Sequence, residues 1–375
     1  MNATPFPGDR NEAARNAAAR NGALDSSIPP AHPARATVGA STTDGDTVSV
    51  CICTYRRRDK LALLLDDLLR QRRLPDQIVV VDNDRDGTAR DVVEAFRARV
   101  LRAARIDGGE GAGGSGGSGT SSASGRSIGS IDVVYALQPE KNIALTRNAT
   151  VARATSYWLA MADDDERAPE DWIANLLRTT RSAQADGVLG PAVPLIPDTA
   201  PDWIRRGRFY DWARFPTGTP VPTNAFRAGN LIVRRDAILA MQPMFDPAFG
   251  LTGGEDGDLL MRMQGAGYRF VWCDDAVVTE IVEPDRLTLG WILKRARRGG
   301  QDFARHVLGG KLGPATPARL AVFFARAVLQ MLLGGALAVL TLPLGRHRAV
   351  HWLARACANY GKLTALWGGR DLEYA

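Results

Sequence analysis

The first half of the chain alternates strand-like and helix-like patterns, and this alternation restricts its fold more than any other feature. Four apolar runs have the length of buried strands, at residues 48–53, 78–81, 131–137 and 158–161. Three stretches with apolar side chains at helical spacing lie between them, at residues 59–70, 89–101 and 144–155. Such alternation predicts an α/β fold with a mostly parallel sheet and helices on both faces.

Polar side chains follow three of these predicted strands directly. The clusters are Thr54-Tyr55-Arg56, Asp82-Asn83-Asp84 and Asp163-Asp164-Asp165. Because ligands bind at the carboxyl ends of the strands in open α/β sheets, the three clusters are expected at one shared site. Each cluster alone could be a solvated turn, since Asp and Asn are ordinary turn residues. Together they fit a nucleotide, with its base at the first cluster, its base or ribose at the second, and its diphosphate at the third.

The third cluster extends to Glu166 and places four carboxylates in a row at the mouth of a buried strand. Adjacent buried carboxylates are unfavourable unless a cation or a ligand compensates them. A divalent metal, Mg²⁺ or Mn²⁺, carrying a diphosphate is the expected occupant. Few protein carboxylates are needed for it, because the diphosphate supplies further oxygens.

Charge is distributed unevenly along the 375 residues, whose formal net charge is +6. From Arg286 onward the chain has 14 Lys and Arg against 3 Asp and Glu. A basic tail beside apolar sequence predicts contact with an anionic membrane surface. Nucleic acid is the other common partner of positive charge, but no nucleic-acid-binding motif accompanies the tail, so no nucleic acid is expected. The four cysteines form no disulfide framework or zinc spacing, which is typical of a reduced, cytosolic protein.

Two segments have low-complexity composition. Residues 1–46 are rich in Ala, Arg, Asn and Pro without apolar periodicity, which predicts a disordered leader and no signal peptide. Residues 108–130 are nearly all Gly and Ser and interrupt a helix-to-strand connection. They predict a flexible insertion without chemistry, whose removal leaves the fold intact.

Four motifs, taken in order, resemble those of the family 2 glycosyltransferases of the GT-A fold. They are VSVCICTYR from Val48, IVVVDN from Ile78, NIALTRN from Asn142, and MADDDE from Met161 with Trp172 after it. Their spacing matches once the Gly/Ser insertion is discounted. The resemblance implies a GT-A domain over residues 47–300 with a mixed, mostly parallel sheet. The remaining residues, 301–375, resemble the helical, membrane-associated tail of bacterial exopolysaccharide enzymes of the succinoglycan glucosyltransferase type.

The resemblance also implies roles for residues of the donor site. Thr54, Tyr55 and Asp82 match positions that hold the uracil and ribose of a UDP-sugar. Arg147 matches a position that reaches the donor, although it could equally be a surface helix residue.

In the acidic run, alignment on the tryptophan that follows makes Asp163 and Asp165 the two ends of a D-x-D motif. Asp165 is then the metal ligand and Asp163 the contact to the donor sugar or ribose. An alignment shifted by one residue would make Asp164 a residue of the motif instead.

Motifs of the second half point to the acceptor side. Asn230 occupies a position where the family closes its pocket over the donor sugar, with a turn residue as the alternative. Glu255 and Asp256 match the family's Glu-Asp motif at the start of a helix, where acidic residues also serve as simple caps. An acceptor hydroxyl must lose its proton as it attacks the anomeric carbon, so Asp256 is the predicted general base. Glu255 would orient the base or contact the acceptor, and the resemblance implies inversion.

Basic and aromatic residues recur between these motifs and the tail. Lys294, Arg295, Arg297 and Arg298 predict a basic helix end and a mobile closing segment that clamps a diphosphate or meets an acceptor's lipid phosphates. A solvated basic face is the alternative. In the loop 197–222, three aromatic residues could stack on a sugar or pack in the core, namely Trp203, Tyr210 and Trp212.

Residues 320–344 are almost entirely apolar and approach the length of a membrane span, with a core helix as the alternative. A single crossing would place the basic residues after it outside the cytosol, against the positive-inside tendency. An interfacial or re-entrant helix pair is therefore preferred over one true span. The expected location is the cytoplasmic face of the inner membrane, with peripheral attachment or one or two C-terminal membrane helices.

The sequence therefore predicts a membrane-associated, metal-dependent, inverting glycosyltransferase. Its donor would be a nucleotide-sugar, and its acceptor a growing polysaccharide or a polyprenyl-linked oligosaccharide. One alternative is a sugar-nucleotide pyrophosphorylase, but the first loop, residues 54–58, lacks the glycines that such an enzyme needs. A second is a catalytically silent, membrane-bound polysaccharide assembly protein.

Overall fold

A computed structural model describes residues 46–109 and 127–369 of the chain. The predicted leader lies outside this range apart from residue 46, and so does most of the predicted Gly/Ser insertion. Ten strands are present in the described part. They are β1 (Val48–Thr54), β2 (Gln77–Asp82), β3 (Asp132–Leu137), β4 (Trp158–Asp163), β5 (Glu166–Arg167), β6 (Gly187–Leu189), β7 (Ala192–Leu195), β8 (Leu231–Arg234), β9 (Phe270–Trp272) and β10 (Val278–Ile281).

Ten α-helices accompany these strands in the same part of the chain. They are α1 (Arg58–Leu69), α2 (Arg90–Gly109), α3 (Ile143–Arg153), α4 (Trp172–Ala183), α5 (Asp202–Gly207), α6 (Arg235–Leu239), α7 (Glu255–Gly265), α8 (Leu289–Leu308), α9 (Pro317–Thr341) and α10 (Arg346–Thr364). All four strands and three helices predicted in the first half are confirmed, with ends that differ by a few residues except at α2, which runs to Gly109.

Seven strands form the central sheet in the order β3-β2-β1-β4-β8-β6-β9. Its first four strands are parallel, and β8 is antiparallel to both of its neighbours. Thr54 pairs with Asp82 and Cys53 with Asp163, so the ends of β1, β2 and β4 meet at one edge. The predicted fold class is confirmed, and the predicted polar clusters share this edge.

Helices cover both faces of the sheet because successive strand residues point to opposite sides. Val50 and Ile52 of β1 pack with α1, α2 and α4, whereas Cys51 of the same strand packs with α3 and α7. A smaller sheet, β5-β10-β7, lies beside the end of the acidic run and pairs Glu166 with Glu280.

The ends of the predicted insertion are ordered. Helix α2 continues to Gly109, and a single 3₁₀ turn over Ile128–Ser130 leads into β3. A Cβ at Gly129 would lie 2.3 Å from the Cα of Ala104, so this turn rests directly on the backbone of α2. The prediction of a flexible insertion is therefore wrong at residues 108–109 and 128–130, and most of its other residues lie outside the described part of the chain.

Helix α8 is continuous through the basic segment, so the predicted helix end at Lys294–Gly300 is wrong. Gly300 is not a breaker there: a Cβ on it would lie 1.8 Å from the carbonyl oxygen of Ala358 in α10. The glycine permits α8 and α10 to approach closely. The sequence pattern alone does not distinguish a glycine at such a contact from a glycine that ends a helix. The predicted boundary between residues 47–300 and 301–375 falls inside this helix, and that division stays a prediction.

Helices α9 and α10 form a pair that packs on α8, with Gly334 of α9 against Trp352 and Ala356 of α10. The span Pro317–Leu344 is long and apolar enough to cross a membrane by length and composition. Only 11% of its most apolar window is buried inside the protein. The core-helix alternative is therefore wrong for α9.

Candidate active site

A cleft of about 300 Å³ opens at the shared edge of β1, β2 and β4. One wall carries the polar residues that follow these strands. A second wall carries aromatic and basic residues from the loop after α5 and from α8. Of the predicted site residues, six line this cleft: Thr54, Tyr55, Arg147, Asp163, Asp164 and Asp165.

Asp164 is held from two sides. It accepts hydrogen bonds from Thr54 Oγ1 at 2.8 Å and from Arg57 Nη1 at 3.0 Å. The same nitrogen of Arg57 donates to Asp165 Oδ2 at 2.8 Å, and Lys60 Nζ lies 4.0 Å from that oxygen. Burial raises the pKa of Asp164 to about 6, with Arg57 opposing the rise. Protein cations therefore compensate Asp164 and Asp165 of the acidic run.

Arg147 compensates the start of the run. Its Nη2 donates to Asp163 Oδ1 at 3.1 Å, and its Nε donates to Glu255 Oε1 at 3.0 Å. The Arg147 side chain is 7% exposed, so the surface-residue alternative does not hold. Asn142 caps α3 by accepting from Leu145 N, which fixes the helix that presents the arginine.

Glu255 and Asp256 begin α7, as predicted. Burial, assisted by the charge of Asp256 and opposed by Arg147, raises the pKa of Glu255 to about 7. Its second oxygen, Oε2, is buried and has no hydrogen-bond partner among the described residues. Asp256 is partly exposed and accepts from the backbone N–H of Ala228 at 3.0 Å and of Gly257 at 2.7 Å. Both residues lie outside the lining of the cleft, and Glu255 is joined to it through Arg147.

Asp82 and Arg56 do not face the cleft. Both oxygens of the fully buried Asp82 are occupied, by Asp84 N at 2.9 Å, Ala89 N at 2.8 Å and the Tyr135 hydroxyl at 3.1 Å. The arrangement is that of a turn-stabilising carboxylate. Arg56 turns away from the cleft and pairs with Asp84 at 3.0 Å.

Asn230 is also directed away from the cleft. It adopts a left-handed backbone conformation, with φ of 58°, between the glycine of its turn and β8. Its Oδ1 accepts from Trp172 Nε1 at 2.8 Å, and its Nδ2 donates to the carbonyls of Pro191 and Ala276. These bonds support the turn-residue alternative and tie β8 to its neighbours.

The second wall combines rings and guanidinium groups. Tyr210 stacks on Trp291 with centroids 5.4 Å apart. The guanidinium of Arg295 lies 4.9 Å from the Trp212 ring centroid and 5.3 Å from that of Trp291. Arg298, one turn further along α8, lines the cleft as well. Of the three aromatic residues noted in the loop, Tyr210 and Trp212 line the cleft, and Trp203 packs against the core cluster to which Tyr210 also belongs.

The donor atoms present suit a hard cation that takes few protein ligands. Within residues 46–109 and 127–369, no group of three or more His, Cys, Asp or Glu side chains forms a metal cluster. Asp165 nevertheless presents a carboxylate to the cleft. This carboxylate already binds one cation, the guanidinium of Arg57. Asp163 is 43% exposed. Mg²⁺ and Mn²⁺ accept such oxygens and complete their shells with phosphate and water.

Sequence reasoning missed three basic residues of the cleft. Arg57 follows the first polar cluster by one position, and its charge opposite an acidic run was an available signal. Lys141 and Arg286 also line the cleft. Nothing in their sequence surroundings distinguishes these two from ordinary surface cations.

Comparison with known proteins identifies relatives over most of the chain. The family described as "Glycosyltransferase like family 2" matches residues 45–301. The succinoglycan biosynthesis protein ExoM of Rhizobium meliloti (strain 1021) is 30% identical over 334 residues, which are 87% of this chain and 94% of ExoM.

A solved structure shares the fold. The mannosyltransferase PcManGT from Pyrobaculum calidifontis, solved in complex with GDP-Man and Mn²⁺, is 18% identical with a TM-score of 0.52, covering 86% of this chain and 88% of its own. S. aureus TarS is 15% identical with a TM-score of 0.45 over 85% of this chain, which spans about half (53%) of the TarS chain. The family match and the similarity to ExoM show that this chain is a transferase of glycosyltransferase family 2, with the GT-A fold.

Proposed function

We propose that this glycosyltransferase moves a sugar from a UDP-linked donor to a growing polysaccharide or a polyprenyl-linked oligosaccharide. The observation that carries the proposal is the meeting, in one cleft, of the ends of three parallel strands with an acidic run and a basic, aromatic wall. A base and ribose fit beside Thr54 and Tyr55. The diphosphate then lies between Asp163–Asp165 and the guanidinium groups of α8, and these guanidinium groups carry the charge opposite to its own. The similarity to ExoM supports a product of the exopolysaccharide class.

In the proposed reaction, the acceptor oxygen bonds to the anomeric carbon as the bond to the diphosphate breaks, with inversion. Asp256 accepts the hydroxyl proton, and two backbone N–H donors hold its carboxylate in place. Glu255 and Arg147 position α7 against the donor end of the cleft. Arg295 and Arg298 meet the negative charge that develops on the leaving nucleoside diphosphate. A Mg²⁺ or Mn²⁺ ion at Asp165 would supply further stabilisation of that charge as a Lewis acid.

We assign Asp163 to the donor sugar or ribose, and we retain Asp82, Asp164, Arg56 and Asn230 as residues that shape the donor site through its loops. Asp82 and Asn230 do so by holding turns at the ends of β2 and at the start of β8. This support is indirect, and it differs from the direct contact that the resemblance implied for Asp82 and Asn230.

We further propose that α9 and α10 attach the enzyme to the cytoplasmic face of the membrane. Nine large apolar side chains of residues 317–344 are exposed, including Leu329, Leu332 and Leu340. Residues 303–369 carry eight Lys and Arg and no Asp or Glu, which suits anionic headgroups. Because the middle of α9 packs on α10, and α10 packs on α8, a perpendicular crossing by α9 would draw the cleft helix into the bilayer. An orientation along the membrane surface avoids that cost.

A donor screen tests the proposal. The full chain is incubated with UDP- and GDP-linked sugars, membrane lipid extract as acceptor, and Mn²⁺ or Mg²⁺, and release of the nucleoside diphosphate is measured. We expect UDP release that requires both acceptor and metal. Release of GDP but not UDP would overturn the uridine assignment. No release from any donor would favour the silent assembly protein. In a parallel reaction with added pyrophosphate, conversion of the nucleotide-sugar and pyrophosphate into a nucleoside triphosphate and a sugar 1-phosphate would favour the pyrophosphorylase.

A further inference from the structure

Arg57 lies beside Asp165, the carboxylate to which the metal ion is assigned. Its Nη1 atom lies 2.8 Å from Asp165 Oδ2 and 3.0 Å from Asp164 Oδ1. Lys60 adds a second positive charge 4.0 Å from Asp165 Oδ2. The side chains of the two aspartates are only 5% and 6% exposed, so water screens these contacts poorly. The protein itself therefore neutralises the carboxylate to which the metal is assigned.

A divalent cation on the same carboxylate would lie close to this guanidinium. With a metal–oxygen distance of about 2.1 Å, the ion and Arg57 Nη1 would be at most about 5 Å apart if they shared Asp165 Oδ2. Two cations at that distance repel strongly in a partly dehydrated site. A diphosphate changes the balance, because its oxygens offer partners to both cations at once. Arginine suits this exchange, since its planar fork matches carboxylate and phosphate oxygens equally well.

We propose that Arg57 is an internal counter-ion that keeps divalent metal off Asp165 until a diphosphate enters the cleft, and that it then binds the diphosphate. The inference rests on the metal role proposed for Asp165. Metal and nucleotide would consequently bind together, each raising the affinity for the other by the same factor. Asp165 stays compensated at every stage, first by Arg57 and Lys60 and then by the metal.

The proposal makes two predictions of opposite sign for Arg57→Gln. Titration calorimetry of the donor-free full chain with Mn²⁺ alone should show at least tenfold tighter binding than in wild type. Titration with preformed Mn²⁺–pyrophosphate should show at least tenfold weaker binding, because a cation that contacts the diphosphate has been removed. Pyrophosphate is the probe because it makes the result independent of the base and the sugar.

Three further variants locate the effect. Arg58→Gln, whose arginine pairs with Asp91 on the surface, should match wild type in both titrations. Arg57→Lys keeps the charge and should bind Mn²⁺ alone as weakly as wild type. Adding Asp165→Asn to Arg57→Gln should abolish the gain in Mn²⁺ affinity. Circular-dichroism melting verifies folding, and Arg57→Met replaces Arg57→Gln where the latter melts below the assay temperature.

The outcomes separate this inference from the proposed function. Equal Mn²⁺ affinity in wild type and Arg57→Gln overturns the counter-ion role while leaving the metal assignment intact. Changes of the same sign in both titrations overturn it as well. If no protein binds Mn²⁺, alone or with pyrophosphate, the metal assignment of the proposed function fails and the inference fails with it.

Discussion

Arg147 and Glu255 form a buried ion pair between α3 and α7, with Nε donating to Oε1 at 3.0 Å although the residues are 108 positions apart in the chain. Arg147 also donates to Asp163. One guanidinium therefore connects the acidic run to the helix that carries the proposed base. In the proposed reaction, this side chain holds the acceptor and donor ends of the cleft in register.

Replacing Arg147 by methionine leaves the carboxylates of Glu255 and Asp163 without their cation. We expect Arg147→Met to lower the free energy of unfolding by about 3 kcal/mol, because loss of one partner leaves a buried charge uncompensated. Urea unfolding followed by circular dichroism measures the change. The double variant Arg147→Met/Glu255→Gln should recover part of the loss. Strictly additive effects of the two substitutions would show that the pair is not coupled.

The pKa of Glu255 predicts a pH dependence of stability. Burial raises this pKa from 4.5 to about 7. The folded state thus binds the proton more tightly than the unfolded state, so the contribution is complete below pH 4.5 and is lost as the pH rises through 7. It amounts to at most about 3 kcal/mol, since one pKa unit corresponds to about 1.4 kcal/mol.

Thermal melting between pH 5 and pH 8 checks this prediction. The melting temperature of the wild type should fall more steeply over this range than that of Glu255→Gln, which cannot ionise. At pH 8 the variant should be the more stable of the two proteins. Parallel curves would mean that Glu255 titrates near its ordinary value.

Asp256→Asn tests the assignment of the base. The amide cannot accept the acceptor's proton, so we expect kcat to fall by about 10²- to 10⁴-fold. Affinity for the nucleotide should stay unchanged, because Asp256 does not line the cleft. Single-turnover sugar transfer and nucleotide titration measure the two quantities. Glu255→Gln serves as a comparison. A larger loss of kcat in that variant than in Asp256→Asn would make Glu255 the general base and Asp256 the residue that orients it.

The sequence was sufficient to predict the strands and helices whose residues follow a local periodicity. The apolar run that ends at Thr54 and the leucines of α1 follow strand and helix periodicity, and tertiary contacts only confirm them. The carboxyl ends of parallel strands meet by geometry, so the shared edge of three polar clusters was also predictable. The acidic run and Arg147 were therefore placed in the cleft from the sequence.

Side-chain direction at that edge was not predictable. Asp82 and Asn230 have the residue types of ligand contacts, but hydrogen bonds inside the protein occupy their polar atoms. The backbone partners of Asp82 come from the turn that follows it, and those of Asn230 come from distant segments. Arg56 and Arg57 are identical neighbours, and only the fold decides that the second one meets the acidic run. Such choices depend on contacts more than 25 residues apart in the chain, which periodicity and spacing do not encode.

Gly299 and Gly300 provide a matched pair for testing the contact between α8 and α10. A Cβ at Gly300 would lie 1.8 Å from the Ala358 carbonyl oxygen, whereas one at Gly299 meets no atom within 4 Å. We expect Gly300→Ala to lower the free energy of unfolding by about 1–3 kcal/mol, because the helices must separate. Gly299→Ala should be neutral or stabilising by up to about 1 kcal/mol, as for Gly→Ala in an exposed helix. Equal effects in urea unfolding would contradict the close approach.

The exposed face of α9 predicts binding to anionic vesicles. Leu329 and Leu333 are 66% and 53% exposed, one turn apart on this face. Inserting a leucine side chain into the acyl boundary stabilises binding by about 1.5–3 kcal/mol, so Leu329→Glu/Leu333→Glu should weaken partitioning at least 100-fold. Leu101→Glu is the control, since Leu101 is similarly exposed, at 54%, but lies on α2 of the catalytic part.

Co-sedimentation with vesicles that contain about one third anionic lipid measures this partitioning. Wild type and Leu101→Glu should pellet with the vesicles, and the double variant should remain in the supernatant. Raising the salt concentration should weaken wild-type binding only in part, because salt screens the basic residues but not the apolar contact. A wild type that pellets no better than the double variant would mean that α9 is covered by something other than lipid.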